Sequence, residues 1–298
     1  MTDFPDTYLQ CGRYRLKISG PSFRPLVMGV LNVTPDSFSD GGRFSSLDAA
    51  ITQAELMIES GVDIIDIGGE STRPGSPPLS IEEELRRVMP VLYALRDCGK
   101  PISVDTRRPE VMQEAMIAGV DMINDITGFR DEDSLSLLRD SDCALCIMHM
   151  QGTPQTMQHD PSYDNVVREV SEFLLQRADA AASEGIDRRR LCIDPGFGFG
   201  KTLGHNLELL ANVGRIQHQL SLPLLVGLSR KSMIGKLTHK LTDKPVEQRM
   251  AGSIAAALYA ISQGARIVRV HDVAETVDGI SVWQAAKNAE AKINPIDY

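Results

Sequence analysis

The chain has 298 residues, of which 42% are hydrophobic and 24% charged, a composition typical of one large or two ordinary soluble domains. Its formal net charge of −9 argues against general binding to nucleic acid or to an anionic membrane, because both partners favour a broad basic surface. Five cysteines, an odd number, argue against a disulfide framework, and no segment resembles a secretory signal or a membrane span, so we expect a cytoplasmic enzyme.

Short apolar, β-branched runs alternate with helical patterns along the chain. Residues 1 to about 24 predict a small strand pair. Eight runs follow: Leu26–Val33, Val62–Gly68, Ile102–Asp105, Met122–Ile126, Ala144–Met148, Leu191–Asp194, Leu224–Leu228 and Ile267–Val270. Between them, apolar residues recur at helical spacing, and Ser45 with Asp48 and Ser80 with Glu83 are typical of helix starts.

This alternation predicts an α/β fold, namely a (β/α)8 TIM barrel with the N-terminal strand pair closing its bottom. A doubly wound open sheet is the alternative, because counting strands does not establish closure. No linker divides the chain, so we expect residues 1–298 to form a single domain.

Each apolar run ends in a hydrogen-bonding or charged residue, and this regularity supports the barrel more strongly than the strand count. The carboxyl ends of barrel strands converge on one mouth, so these residues are expected to meet there. In chain order they are Asn32, Glu70 to Arg73, Asp105, Asn124, His149, Asp194, Ser229 to Lys231, Arg269 and His271.

One group of strand ends is cationic and comprises Arg73, Lys231, Arg269 and His271. Four cationic groups on neighbouring strands of an acidic protein predict a multiply charged anion, with phosphate or diphosphate first. The amide oxygen of Asn32 suits a hydrated Mg²⁺ shared with phosphates. The alternative is that each arginine pairs with a neighbouring acid, which is more readily expected of one residue than of the whole set.

A second group, Asp105, Asn124 and Asp194, offers mostly hydrogen-bond acceptors. Such a group suits a flat heterocycle that presents N–H and NH₂ donors along one edge. The spacing leaves two other interpretations open, since a pair of buried carboxylates could also act as general acid and base or bind a metal.

Two further motifs resemble known binding sites but are interpreted differently. The segment DPGFGFGKT at 194–202 has Pro195 where a phosphate-binding P-loop requires glycine, and its glycines predict a close approach of backbone and Phe199 to a flat ligand. Cys143 and Cys146 have zinc-like spacing, but residues three apart on a strand point to opposite faces, so we expect core packing. Arg107 and Arg108 could contact an anion, although we expect surface positions for both.

Seven stretches resemble, in order, the strand-end motifs of the dihydropteroate synthase family. They are MGVLNVTPDSFSDGG, GGESTRPGS, SVDT, IND, DPGFGFGKT, GLSRKSMIG and RVHDV, which run from residue 28 to 272 and cover nearly the whole chain. The resemblance implies a pterin-binding TIM barrel, usually a homodimer. With Mg²⁺ it would join 4-aminobenzoate to dihydropterin-6-ylmethyl diphosphate to give dihydropteroate, through a dissociative mechanism.

The resemblance also implies a role for each matching residue. The pterin ring would be held by Asp105, Asn124, Asp194 and Lys231 and walled by Met148 and Phe199. The diphosphate and its metal would be bound by Thr72, Arg73, Arg269, His271 and the metal ligand Asn32. Two loops would close over the mouth and form the aminobenzoate site with Ser229, one carrying Asp36 and Phe38 and the other Thr72 to Pro74. Catalysis would rest on Asp36, Thr72, Arg73, Lys231, Arg269 and His271.

Two alternatives share such a pocket. One is a pterin-binding methyltransferase of the corrinoid-dependent type, which has little need for a diphosphate cradle. The other is a catalytically silent relative that binds pterin only. The loop motifs and the pair Arg269 and His271 favour the synthase over both.

Overall fold

The structure, a computed structural model, describes residues 7–20, 23–33, 43–70, 78–239 and 243–293. Strands and helices alternate along this part of the chain. The strands are β1 (Thr7–Cys11), β2 (Tyr14–Ser19), β3 (Leu26–Asn32), β4 (Ile64–Gly68), β5 (Ile102–Asp105), β6 (Met122–Asp125), β7 (Ala144–Met148), β8 (Leu191–Asp194), β9 (Leu225–Val226) and β10 (Ile267–Val270). The α-helices are α1 (Arg43–Glu59), α2 (Ile81–Leu95), α3 (Pro109–Ile117), α4 (Glu132–Leu138), α5 (Val166–Ser183), α6 (Leu203–Ala211), α7 (Val213–Leu220), α8 (Ser232–Thr238), α9 (Met250–Ser262) and α10 (Val273–Ile293).

Strands β3 to β10 form one parallel sheet in the order β8-β7-β6-β5-β4-β3-β10-β9. A parallel bridge between Ile193 in β8 and Leu224, just before β9, joins the two edges of this sheet. The strands therefore follow one another around a ring in chain order. This arrangement confirms the (β/α)8 TIM barrel and excludes the open, doubly wound sheet.

The predicted strand bounds agree closely with the observed ones for most strands. Four have the predicted bounds: Ile102–Asp105, Ala144–Met148, Leu191–Asp194 and Ile267–Val270. The prediction Leu224–Leu228 is too long, because β9 contains only Leu225 and Val226. Pro223 has no N–H group to donate on one side of β9, and Gly227 weakens strand structure on the other.

The hairpin of β1 and β2 closes the barrel from below. Leu9 and Cys11 of this hairpin lie in the same buried apolar cluster as Met28 of β3. The backbone N–H of Gly12 donates to the carbonyl of Asp142, 3.0 Å away, just before β7 begins. The predicted strand pair at the bottom is thus confirmed, and it leaves the carboxyl ends of the strands uncovered by the hairpin.

The cysteines of the chain are all free thiols. Cys143 packs in the apolar cluster between the sheet and the outer helices, whereas Cys146 packs in the cluster inside the barrel. The prediction that these two side chains point to opposite faces is confirmed, and no zinc pair forms from them.

One of the two predicted helix starts is confirmed. The hydroxyl of Ser80 accepts a hydrogen bond from the backbone N–H of Glu83 at 3.2 Å and caps α2. Helix α1 already begins at Arg43, three residues before the start that a cap at Ser45 would give, so the prediction of that cap is wrong. Within the described ranges, every helix is too short or too polar to cross a membrane.

Candidate active site

The register of the sheet brings the polar strand ends to one level. Asn32 at the end of β3 pairs with Gly68 of β4, and Gly68 pairs with Asp105 of β5. Asp105 pairs in turn with Asn124 of β6. Because these pairs are lateral neighbours around the ring, their side chains at the carboxyl ends share the mouth of the barrel.

Arg269 of β10 is the centre of an ion-pair cluster at this mouth. Its Nε donates to Oδ2 of Asp66 at 2.6 Å, and its Nη2 donates to Oδ2 of Asp105 at 2.8 Å. Burial alone would lower the pKa of Arg269, but these two carboxylates outweigh it and raise the pKa. The guanidinium is therefore permanently charged and fixed in direction by two acceptors.

Asp66 of β4 was not predicted as a site residue. Its side chain is fully buried, and its Oδ2 also accepts a hydrogen bond from Nδ2 of Asn124 at 3.3 Å. Its other oxygen, Oδ1, has no hydrogen-bond partner in the described part of the chain. A signal was available, because an aspartate inside the apolar run IIDIG of a doubly buried strand needs a polar partner.

Asp105 was predicted in the acceptor group, but it also pairs with Arg269 of the cationic group. Burial raises the pKa of its carboxyl to about 7, while the neighbouring Arg269 opposes this rise. The predicted separation of a cationic side from an acceptor side is therefore incomplete at Arg269, since this arginine is paired with Asp66 and Asp105.

Lys231 and Asp194 lie across the barrel seam from each other. Oδ1 of Asp194 accepts a hydrogen bond from the backbone N–H of Gly196 at 2.7 Å, and burial raises the pKa of this carboxyl. Burial lowers the pKa of Lys231 to about 8, although Asp194 partly opposes the change. The two groups thus stabilise each other's charged form at the mouth.

Arg269 and Asp194 face the same space. A Cβ atom placed on Gly227 would lie 3.9 Å from Cβ of Arg269 and 3.9 Å from Oδ2 of Asp194. Gly227 therefore adjoins both the base of the Arg269 side chain and the Asp194 carboxylate, and Asp194 is near enough to help raise the pKa of Arg269. The two residues thus border a common space at the mouth of the barrel.

An apolar wall stands beside the charged groups. Nζ of Lys231 lies 4.0 Å from the centroid of the Phe199 ring. Phe199 and Met148 are 9% and 4% exposed and pack in one cluster with three further apolar residues, Ile126, Met150 and Met157. A flat ring bound next to Lys231 would therefore find both an aromatic face and methionine side chains.

Ser229 and His271 form a hydrogen-bonded pair. Oγ of Ser229 accepts from the backbone N–H of His271 at 3.2 Å and lies 3.0 Å from Nδ1 of its ring. Burial, then the charge of Arg269, lowers the pKa of His271 to about 3. The prediction of a cationic His271 is therefore wrong for the protein without ligand, because its ring is neutral at pH 7.

Asn32 offers one oxygen at the mouth. Its Oδ1 would lie 3.4 Å from a Cβ placed on Gly68. The described residues contain no group of three or more His, Cys, Asp or Glu side chains that could hold a metal ion. A metal at this place would accordingly take few ligands from the described residues and would need others from a substrate.

Five predicted site residues lie outside the described ranges: Asp36, Phe38, Thr72, Arg73 and Pro74. Glu70, just before the second of these segments, accepts at Oε1 from the backbone N–H of Leu79 at 3.1 Å. It also forms ion pairs with Arg107 at 3.4 Å and Arg108 at 3.5 Å. The prediction of surface positions for these two arginines is wrong for Arg108, whose side chain is only 14% exposed.

The glycine-rich segment after β8 is held from beneath by Lys201, which sequence reasoning missed. Nζ of this buried lysine donates to the carbonyls of Gly196 and Phe199, each at 2.9 Å, and lies 3.0 Å from Nδ1 of His149. Gly196 has a φ of +68°, and a Cβ there would lie 1.9 Å from the carbonyl oxygen of His149. Gly196 is therefore required for packing against the segment after β7, and the predicted approach of the segment to a flat ligand stays a prediction.

Comparison with known proteins identifies close relatives over most of the chain. Residues 28–271 match the family described as "Pterin binding enzyme". A dihydropteroate synthase from Haemophilus influenzae is 52% identical over 268 residues, which cover 89% of this chain and 95% of that protein.

Solved structures give the same result. The dihydropteroate synthase of Xanthomonas albilineans with 4-aminobenzoic acid is 48% identical, with a TM-score of 0.87 and coverage of 95% of this chain and 99% of that one. The Burkholderia cenocepacia enzyme complexed with 7,8-dihydropteroate is 47% identical, with a TM-score of 0.86 and coverage of 97% and 99%.

Proposed function

This chain belongs to the family of pterin-binding enzymes, and from that premise we propose that it is a dihydropteroate synthase. It condenses 4-aminobenzoate with (7,8-dihydropterin-6-yl)methyl diphosphate and releases diphosphate and 7,8-dihydropteroate. The observation that carries this proposal is the single mouth shared by Asp194, Lys231 and Arg269. A ligand with a flat, donor-rich head and an anionic tail fits these groups in one orientation.

The pterin ring is proposed to bind between Asp194, Asn124 and Lys231. The amide Nδ2 of Asn124 already donates to Asp66, which leaves its Oδ1 to accept an N–H of the ligand. The free lone pairs of Asp194 accept the amino and ring N–H groups, and Lys231 donates to the ring carbonyl or nitrogen. Asp105 adds a further acceptor, and Met148 and Phe199 cover the faces of the ring.

The diphosphate is proposed to bind near Arg269 and His271. Asp66 and Asp105 hold the Arg269 fork in one direction, which supports preorganised stabilisation of the leaving group. An arriving diphosphate would also raise the pKa of His271, so that the ring could donate with a full charge. Thr72 and Arg73 are proposed to complete this cradle.

Mg²⁺ remains part of the proposal, and Asn32 is the described residue that would hold it. A single amide oxygen fits this ion, because Mg²⁺ usually keeps waters and substrate phosphates as its other ligands. When bound, it would neutralise charge that develops on the departing diphosphate. The remaining roles in the proposed reaction are assigned to side chains of this protein.

The reaction is proposed to be dissociative. The bond between the methylene carbon and the diphosphate oxygen breaks first, and the leaving group takes the electron pair. The electron-rich pterin ring delocalises the positive charge, and the amine of 4-aminobenzoate then attacks the methylene carbon and loses a proton. This amine is already neutral at pH 7, so no strong general base is required, and catalysis rests on positioning and electrostatics.

The aminobenzoate site is proposed to form from Ser229 and from Phe38 and Pro74. Asp36 is proposed to stabilise the cation, and the exclusion of water would prevent its capture as an alcohol. We also propose that the protein is a homodimer and is located in the cytoplasm. The free thiols of all five cysteines support a reducing compartment.

A single assay tests the proposed function. Purified protein is mixed with both substrates and Mg²⁺, and diphosphate and dihydropteroate are quantified together. We expect equal amounts of the two products. Release of diphosphate without dihydropteroate would contradict the proposed condensation, and binding of the pterin substrate without its consumption would favour the catalytically silent relative.

A further inference from the structure

We infer that the backbone of Arg230 is held in a strained conformation by three side chains of neighbouring elements, and that this restraint positions Ser229 and Lys231. The three restraining residues, named here the Arg230 clamp, are Arg249, Ser253 and Asp272. They are positioning residues rather than catalytic ones. The inference rests on the proposed function, since Ser229 and Lys231 matter only if they contact the substrates.

Arg230 has a φ of +59°, in the left-handed region that residues with a side chain rarely adopt. It lies between β9 and the first residue of α8, where the chain turns from the sheet to the helix. Such a conformation persists only where surrounding contacts enforce it. Strain at this position therefore calls for an identifiable restraint.

The restraint on the Arg230 backbone comes from side chains. Its N–H donates to Oγ of Ser253 at 2.9 Å, and its carbonyl accepts from Nη1 of Arg249 at 2.9 Å. Ser253 donates its own hydroxyl hydrogen to the carbonyl of Arg249 at 2.7 Å. With Ser253 5% and Arg249 9% exposed, these bonds are shielded from water.

A third contact holds the Arg230 side chain. Its Nε donates to Oδ2 of Asp272 at 3.2 Å, and its Nη2 pairs with the second oxygen of this carboxylate. Asp272 directly follows His271, whose Nδ1 lies 3.0 Å from Oγ of Ser229. The clamp therefore ties the end of β9 to the end of β10 on both sides of the Ser229 and His271 pair.

Among the described residues, Arg249 and Ser253 form no hydrogen bond or ion pair with a proposed pterin or diphosphate residue, whereas Asp272 adjoins His271 in the chain. Besides Arg230, Arg249 bonds to the carbonyl of Lys244 at 2.5 Å and pairs with Asp243 at 3.1 Å. Lys231, by contrast, turns inwards and lies 4.0 Å from the Phe199 ring centroid. An effect of Arg249 or Ser253 on the reaction must accordingly pass through Arg230.

The decisive variant is Ser253→Ala, examined together with Arg230→Gly. Loss of the hydroxyl should raise the dissociation constant of dihydropterin diphosphate roughly tenfold, because Lys231 is then less firmly placed. Glycine adopts the left-handed conformation without strain, so adding Ser253→Ala to Arg230→Gly should change the dissociation constant less than about twofold. Calorimetry without 4-aminobenzoate measures all four proteins.

Ser262→Ala is the matched control, because this exposed serine of the same helix donates to the carbonyl of Tyr259 within its own helix, at 2.7 Å. It should leave the affinity unchanged. Equal losses from Ser253→Ala in both backgrounds would overturn the inference, as would wild-type affinity of Ser253→Ala at any thermal stability. A purely structural role lowers the melting temperature without moving the affinity of the folded protein.

A second variant keeps the inference testable if Ser253→Ala does not fold. Asp272→Asn keeps the shape of the side chain but removes the charge that pairs with Arg230, and it should weaken pterin binding about three- to tenfold. Unchanged affinity would overturn the inference. Wild-type protein that fails to bind dihydropterin diphosphate would overturn the proposed function itself, so the two failures are distinguishable.

Discussion

At the scale of single residues, Asp66 is a buried carboxylate at the barrel mouth that the sequence did not predict as a site residue. One buried carboxylate oxygen accepts from both Arg269 and Asn124 and so fixes together a proposed diphosphate-binding group and a proposed pterin-binding group. Asp66→Asn can keep one oxygen towards these two donors, but it removes the negative charge that pairs with Arg269 and buries an NH₂ group where Oδ1 has no partner among the described residues. We expect kcat/KM to fall about 10²-fold, close to the loss of one electrostatic stabiliser, and the free energy of unfolding to fall by about 1–3 kcal/mol.

Steady-state kinetics and urea unfolding of Asp66→Asn test this expectation. Asp97→Asn is a suitable control, because its side chain is 73% exposed and pairs only with arginines at the surface. Turnover of Asp66→Asn within about twofold of wild type would show that Arg269 and Asn124 do not depend on this carboxylate.

The pH dependence of the reaction should reflect the titration of two side chains, Asp105 and Lys231. Burial first of all raises the pKa of Asp105 to about 7, so this carboxyl loses its proton and becomes a full acceptor as the pH rises through that value. Burial lowers the pKa of Lys231 to about 8, so its charge is lost as the pH rises further. We therefore expect kcat/KM for the pterin substrate to be bell-shaped, with a maximum between the two values.

A pH profile between about pH 5.5 and 9.5 measures both limbs. Lys231→Arg should lower the activity and move the basic limb upwards, because a guanidinium keeps its charge, while the acid limb stays in place. A profile that is flat from about pH 6 to 9 would disprove the assignment of both groups.

At the scale of elements, the segment after β8 depends on Gly196. Its φ of +68° and the 1.9 Å between a built Cβ and the carbonyl oxygen of His149 leave no room for a side chain. Gly196→Ala should lower the free energy of unfolding by about 2 kcal/mol or more, since backbone must move. Pterin affinity should fall as well, because Asp194 accepts from the N–H of Gly196.

Gly204→Ala in α6 is the matched control for chemical denaturation. Its φ is not in the left-handed region, and the nearest atom would be 3.8 Å from the new Cβ, so we expect a gain of about 0.5–1 kcal/mol. Equal effects of the two substitutions would contradict the steric argument.

The strand ends were predictable from sequence because each one depends on local composition. Asn32, Asp105, Asn124 and Asp194 each follow an apolar run, and the barrel then brings them together. The pairing of Arg269 with Asp66 was not predictable, since these residues are 203 positions apart and meet only through the register of three strands. Lys201 was missed because its glycine-rich context resembles a nucleotide loop, whereas only the fold shows the carbonyls that surround it.

At the scale of the whole molecule, the proposed homodimer has a candidate face. Exposed apolar side chains occur on three neighbouring helices, α8, α9 and α10: they are Leu237, Met250, Tyr259 and Val282, from 39% to 72% exposed. Apolar groups that cluster in this way often mark contacts between proteins. We expect light scattering to give twice the chain mass of 32.7 kDa.

Tyr259→Glu should shift this mass towards that of one chain, because burying a new carboxylate at a contact is unfavourable. Ile117→Glu is the control on a different helix, α3, where the side chain is 70% exposed. A monomeric wild type would refute the homodimer, and a dimer that survives Tyr259→Glu would place its contact elsewhere.

Because strand β9 is short, the junction between β8 and β9 has little strand pairing. A lone bridge joins β8 to the residue before β9, so amide hydrogens along this junction should exchange with solvent sooner than those of β4 or β5. Asp194 ends β8 on one side of this junction, and Lys231 follows β9 on the other side. A bound pterin that contacts both residues would link the two sides of the junction and stabilise it. Deuterium uptake by β8 and β9 should therefore slow far more than uptake elsewhere when the pterin binds.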